Sequence, residues 1–368
     1  MSSGNRKMIA IGLVAVLIVA VVAVALAMSN PWGSGTDAAT VTDATGTNVT
    51  MSKAPERIVS GAPDISEIVA ALNLTDKLVA VTDYCDYPQG VADVRDAGNT
   101  IGGFFTPNYE KTISFAPDLV ILNDGVQTQK DMATQLRGAG YTVLVVHAAT
   151  DVETVYKNIE MIGKVVGKQS AAEDMVAGMK SQLSSIETKV SGEDKPNVMF
   201  VTYAEESFTN VYPAGGTTAI GEIINLAGAD NVFQDMDGFQ MASDEVLKSK
   251  AATTEVIIMT IMYSTETPEN KSAWFSSDPI WKESPAVKNN KVYYLTGQAE
   301  NIFNRESVRT INAVQLMAEI VHPDAFESKV PYSADSINKI GDEYLQYLPS
   351  GTAAQSSTVT MVAAMTRE

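Results

Sequence analysis

Apolar residues recur every three or four positions from Ser170 to Val190, with Ala172, Met175, Val176, Met179, Leu183, Ile186 and Val190 on one helix face. Ser170-Ala-Ala-Glu173 has the Ser-x-x-Glu form of a capping box, which predicts where that helix begins. About twenty residues at 1.5 Å each make a rod of roughly 30 Å, long enough to cross a small domain. On either side the period changes. Short, nearly all-apolar runs at Arg57 to Gly61, Leu78 to Val81, Leu119 to Leu122 and Thr142 to Val146 alternate with amphipathic stretches. Beyond Pro196 the alternation starts afresh at Val198 to Tyr203, Val256 to Thr260 and Lys291 to Leu295, and closes on a long helix from Arg305 to Val321. Strands that are apolar throughout are buried on both faces. The pattern therefore predicts an α/β fold of two lobes with mostly parallel sheets, joined by one long helix.

The expected boundaries are an N-terminal lobe over 53–150, helices over 151–191 that include the spine at 170–190, and a C-terminal lobe over 192–327. The acidic, Ser/Thr-rich tail, 328–368, is expected to be partly helical at best. At the other end Arg6 and Lys7 precede an uncharged apolar run from Met8 to Met28, which directs the chain to a membrane. Residues 1–28 fit a cleaved signal peptide, with Ala25-Leu-Ala27 as its small-x-small site. They equally fit an uncleaved anchor, since about twenty residues span a bilayer. Basic residues ahead of the run favour an extracytoplasmic location for the rest, either anchored at the cell surface or periplasmic. Residues 29–52 read as a flexible tether, rich in small polar residues to Ala44, and a leading strand.

Charge and composition exclude several classes. Asp and Glu number 44 against 26 Lys and Arg, and a formal charge of −18 works against binding nucleic acid. The one cysteine, Cys85, allows no intramolecular disulfide and no multi-cysteine metal site. It also lies far from the apolar run, which excludes a lipid-modified cysteine anchor there. Two histidines, His147 and His322, are too few for a binder of bare transition-metal ions. Gly216-Thr-Thr-Ala-Ile-Gly221-Glu222 has the glycine spacing of a phosphate loop without its lysine, and neither G-x-S-x-G nor H-E-x-x-H occurs. Nothing here points to an enzyme.

Two segments repeat. Gly103-Phe104-Phe-Thr-Pro-Asn108-Tyr-Glu110 and Gly238-Phe239-Gln-Met-Ala-Ser243-Asp-Glu245 share the form G-F-x-x-x-[N/S]-x-E. With Asn108 and Ser243 as N-caps, each glutamate sits at a second helical position. An acidic residue there gains ~0.3–1 kcal/mol from the helix dipole without any further role.

Pro55-Glu-Arg-Ile-Val-Ser60, Val81-Thr-Asp-Tyr-Cys-Asp-Tyr-Pro88, Gly102 to Glu110, Ala116-Pro-Asp-Leu-Val-Ile121, Ala286 to Tyr293 and His322-Pro-Asp-Ala-Phe326 come in the order of a known family. Over roughly 53–327 the chain resembles the two-lobed substrate-binding proteins of ABC importers for cobalamin, haem and iron chelates, the helical-backbone periplasmic binding proteins. The resemblance implies a ligand cleft between the lobes and one glutamate on each lobe docking onto arginines of a membrane permease. The matching positions are Glu110 and Glu245. It also implies cleft aromatics at Tyr84, Phe104 and Phe239, and a ligand-touching arginine at Arg305 within Phe303-Asn-Arg305-Glu-Ser-Val-Arg309. Phe105, Tyr203, Tyr263 and Phe303 complete the expected ligand-binding set, Tyr203 and Tyr263 because ligands of open α/β sheets bind beyond strand carboxyl ends. The expected partners are an ABC permease with its ATPase subunits and a small metal chelate: siderophore-type iron chelate, haem or cobalamin. No intrinsic cofactor or resident metal is implied, and the chain is expected to act as a monomer. A surface receptor of the same fold without an importer, or a chelatase-like enzyme, are the rival readings.

Overall fold

The computed structural model describes residues 39–260, 267–332 and 337–348. Two strands open it, β1 (Ala39–Thr42) and β2 (Asn48–Met51), paired antiparallel as a hairpin. The hairpin turn docks on the first lobe: Ala44 N donates to Val145 O at 2.9 Å, and Val145 N donates to Asp43 Oδ2 at 3.0 Å. A tether is expected to reach Ala44, whereas Ala39–Thr42 is a strand of this hairpin. The reason is legible afterwards, because Thr40, Val41 and Thr42 alternate with the period of a strand.

Lobe one is a four-stranded sheet of β3 (Ile58–Ser60), β4 (Leu78–Ala80), β5 (Leu119–Asn123) and β6 (Val143–Val146). Its order is β4-β3-β5-β6 and every pair is parallel. β5 and β6 are buried along their whole length, as the apolar runs over 119–122 and 143–146 require.

Lobe two begins with β7 (Asn197–Glu205), which is followed by β8 (Thr209–Pro213), β9 (Asp230–Asn231), β10 (Val256–Thr260), β11 (Val292–Leu295) and β12 (Asn338–Ile340). The order is β12-β11-β10-β7-β8 with β9 also on β7, and β8 is its antiparallel member. β12 corrects the expectation for the tail. The segment after Ser328 returns to extend the sheet in parallel beside β11, then makes a 3-10 turn over Asp342–Tyr347. Ile340, Tyr344 and Leu348 anchor it by entering the core.

The long helix runs over Gln169–Val190. It buries Ala172, Val176, Met179 and Ile186, and packs on the helices Val152–Val165 and Thr310–Val321, one from each side. A single apolar core therefore runs from lobe one through the spine into lobe two. The capping box does not form. The helix starts one residue early, after Lys168, which makes no side-chain cap, and Gln169 Nε2 donates to Glu173 Oε1 at 2.8 Å. At the preceding turn Gly163 leaves room for Ala172 to pack, since a Cβ on it would stand 2.3 Å from that of Ala172.

Candidate functional site: the lobe junction and its two lips

In lobe one the order β4-β3-β5 places a topological switch between β3 and β5, and such crevices hold the ligands of open sheets. Gly61 follows β3 there, so tightly that a Cβ would lie 2.6 Å from Leu122 Cδ2 and 2.9 Å from Gln129 Oε1. Gln129 is fully buried and ties three loops together. Its amide donates to Gly61 O at 3.0 Å and to Phe104 O at 2.8 Å, while its carbonyl accepts from Asn123 N at 2.9 Å. Next to it Thr128 Oγ1 donates to Phe105 O at 2.7 Å. Both phenylalanines are thereby carried on a loop pinned to the helix Gln127–Gly138. Their rings meet edge-on at 4.9 Å; Phe104 leans on the core and Phe105 is 66% exposed. Tyr84, also exposed, approaches the same loop at Gly103. These three rings form one lip. Sequence reading missed Gln129, whose only signal was a glutamine among the apolar positions of a helix.

The second lip is built by analogous means. Gly215 and Gly216 let the 234–238 loop approach, since a Cβ on them would fall 2.3 Å from Met236 O and 2.1 Å from Gln234 O. Thr217 Oγ1 accepts from Gly238 N at 2.8 Å, and the chain then presents Phe239 at 51% exposure. The glycines that resembled a phosphate loop serve this close approach. On each lip the capping expectation holds: Asn108 accepts from Lys111 N at 2.8 Å and Ser243 from Val246 N at 3.4 Å. Glu110 and Glu245 are both exposed second-position residues of the helices that follow.

Between the lips the lobes are joined by buried charge. Glu67 of lobe one, 2% exposed, accepts from Arg309 Nε at 2.9 Å, from Arg309 Nη2, from Ser307 Oγ and from Arg305 Nη1 at 3.4 Å. Asp86, also of lobe one, accepts from Arg305 Nη1 at 2.5 Å and from Gln298 Nε2 at 3.1 Å. Arg305 Nη2 donates to Tyr84 O at 3.2 Å, and the Arg309 guanidinium lies 4.0 Å over the Tyr87 ring. Beside this cluster burial pushes the Asp64 and Glu306 carboxyls each up to about 7, the charge of Glu67 adding to the rise at Asp64 and that of Asp64 to the rise at Glu306.

The expected site residues therefore separate. Tyr84, Phe104 and Phe105 come together, Phe239 stands on the opposite lip, and Arg305 lies at the junction with partners on lobe one. Tyr203 is half-buried on β7 with its ring 6.0 Å from that of Tyr212. Tyr263 lies outside the described residues. Phe303 is corrected: at 1% exposure it is a core residue packed on Phe200 at 5.2 Å, because its helix turns that face toward β7.

The model of a family described as periplasmic binding protein matches residues 58–299. An uncharacterized ABC transporter substrate-binding lipoprotein of Bacillus subtilis is 32% identical over 291 residues, 78% of this chain and 87% of that protein. The vitamin B12-binding protein of Vibrio campbellii is 28% identical over 271 residues, 72% of this chain and 88% of that one. Among solved structures, a periplasmic heme-binding protein of Pseudomonas aeruginosa superposes with a TM-score of 0.62 at 20% identity, covering 73% of this chain and 94% of that one.

Proposed function

The chain belongs to the periplasmic binding protein family, and from that premise we propose that it captures a cobalamin-type corrinoid between its lobes and delivers it to an ABC permease. The observation that carries the reading is the pair of matched lips, each an exposed aromatic loop followed by an N-capped helix with an exposed glutamate at its second position. The flat rings suit a macrocycle, and Glu110 and Glu245 suit two basic sockets on the permease. The B12-binding relative supports the corrinoid. So does charge: Arg305 and Arg309, the guanidiniums at the junction, are already matched by Glu67 and Asp86. Haem propionates or an anionic ferric chelate would have to displace those carboxylates, whereas corrinoid amides need no free cation. Binding and handover, without catalysis, are the whole of the activity proposed.

The run from Met8 to Met28 serves as the membrane anchor in this reading, in place of the lipid that the Bacillus relative's name denotes. Calorimetry of the detergent-solubilised full chain against cyanocobalamin, haemin and a ferric tricatecholate tests the ligand. Saturable binding of cyanocobalamin alone is expected. Preference for haemin or the ferric chelate overturns the corrinoid assignment, and binding of none of the three overturns the reading of the cleft.

A further inference from the structure

The segment 337–348 lies beyond the residues matched by the family, yet it is built into lobe two. β12 hydrogen-bonds along β11, Thr296 N donates to Ile340 O at 2.9 Å, and the buried Tyr344 hydroxyl donates to Glu319. Its Asp342 meets the start of the helix Gln298–Asn304. That helix follows Gly297, whose φ of +59° and lack of side chain leave it without an N-cap group of its own. Asp342 Oδ1 accepts from Gln298 N at 2.6 Å and so does the work of an N-cap from 44 residues away. The fit is close, since a Cβ on Gly297 would lie 2.3 Å from that oxygen.

The residue held in this way is one that reaches across to lobe one. Gln298 Nε2 donates to Asp86 and its Oε1 accepts from Arg309 Nη1 at 3.0 Å, while Asn301, one turn along, points Nδ2 at Asp86. We propose that Asp342 is a positioning residue for the lobe junction: by fixing the first turn of the helix Gln298–Asn304 it holds Gln298 on Asp86 and thereby the width of the cleft. Two hydrogen bonds separate the C-terminal segment from lobe one. Its bearing on ligand release rests on the corrinoid reading above, but the positioning itself does not.

The test is hydrogen–deuterium exchange of the full chain in detergent. In Asp342→Ala the amides of 298–304 should exchange about fivefold faster, the change expected for one lost N-cap bond. The amides of 83–88, on the other lobe, should speed up with them. Asp342→Asn, which keeps the accepting oxygen, should restore both. Gln298→Ala should speed 83–88 while leaving the helix protected, and Asp342→Ala should release cyanocobalamin faster. An effect of Asp342→Ala confined to 296–304, with 83–88 unchanged, reduces Asp342 to a local cap and overturns the proposal. Loss of protection through all of lobe two overturns it as well, since Asp342 would then be a general stabiliser. A protein that takes up no cyanocobalamin but shows the paired exchange change refutes the ligand reading alone.

Discussion

Replacing Glu67 with alanine strips the carboxylate that Arg309, Arg305 and Ser307 share. Both arginines are under a tenth exposed, so water cannot take its place. Arg305 keeps Asp86, but Arg309 is left with the Gln298 carbonyl and the face of Tyr87. Breaking one side of a buried pair costs about 3–5 kcal/mol, most of it the stranded charge rather than the worth of the pair. Against a typical domain stability of ~5–15 kcal/mol this is a large loss. Urea denaturation followed by tryptophan fluorescence should show a lower midpoint with the slope unchanged. The same reasoning predicts that Glu67→Met combined with Arg309→Met recovers most of the loss, because the intact pair's attraction is largely offset by desolvation. A coupling above about 1.5 kcal/mol in the double-mutant cycle is therefore expected. A loss below about 1 kcal/mol in Glu67→Ala, or strict additivity in the cycle, would refute the claim that buried charge joins the lobes.

Burial holds the Glu306 and Asp64 carboxyls up to about 7, above their unfolded values of ~4. The folded state thus binds more protons between those limits, so this contribution is fully present below about pH 4 and is lost as pH rises through about 7. Glu306→Gln should flatten that decline and raise stability at pH 8 by ~1–2 kcal/mol; thermal unfolding across pH checks it, and an unchanged slope counts against it. Phe303→Ala should cost ~3–5 kcal/mol as a core truncation while cyanocobalamin affinity stays within about twofold. Weakened binding at full stability would return Phe303 to the cleft. Glu110→Lys with Glu245→Lys should abolish uptake into cells and leave binding by the purified protein intact; undiminished transport would end the docking assignment.

What the sequence made visible was what local pattern controls. Val256–Thr260 is a strand at the expected residues because four apolar residues in a row, three of them β-branched, follow the polar Thr254-Glu255. Asn108 and Ser243 cap as expected because the cap is a contact three residues long. The failures lie where distant chain decides. The spine starts after Lys168, where Ala172 packs into the space that Gly163 leaves, and β12 went unseen because a three-residue strand with pattern Asn-Lys-Ile gains its order from β11. Phe303 and Arg305 are two residues apart in a segment assigned wholesale to the cleft. The fold sends one ring into the core and the neighbouring guanidinium to Glu67 and Asp86, a division that only the partners on β7 and lobe one reveal.

The placement of β12 bears on how the molecule keeps to itself. Without it, β11 would end the lobe-two sheet with the run Val292–Leu295 and a row of open backbone groups, a template on which a second chain could add a strand. The segment after Ser328 closes that edge with a strand only three residues long, its outward side chain the exposed Lys339. A short, charged terminal strand is poor at recruiting another. During synthesis and export lobe two exists for a time with this edge open, so chains shortened before residue 338 should self-associate and depend on chaperones, even where the cleft has already formed.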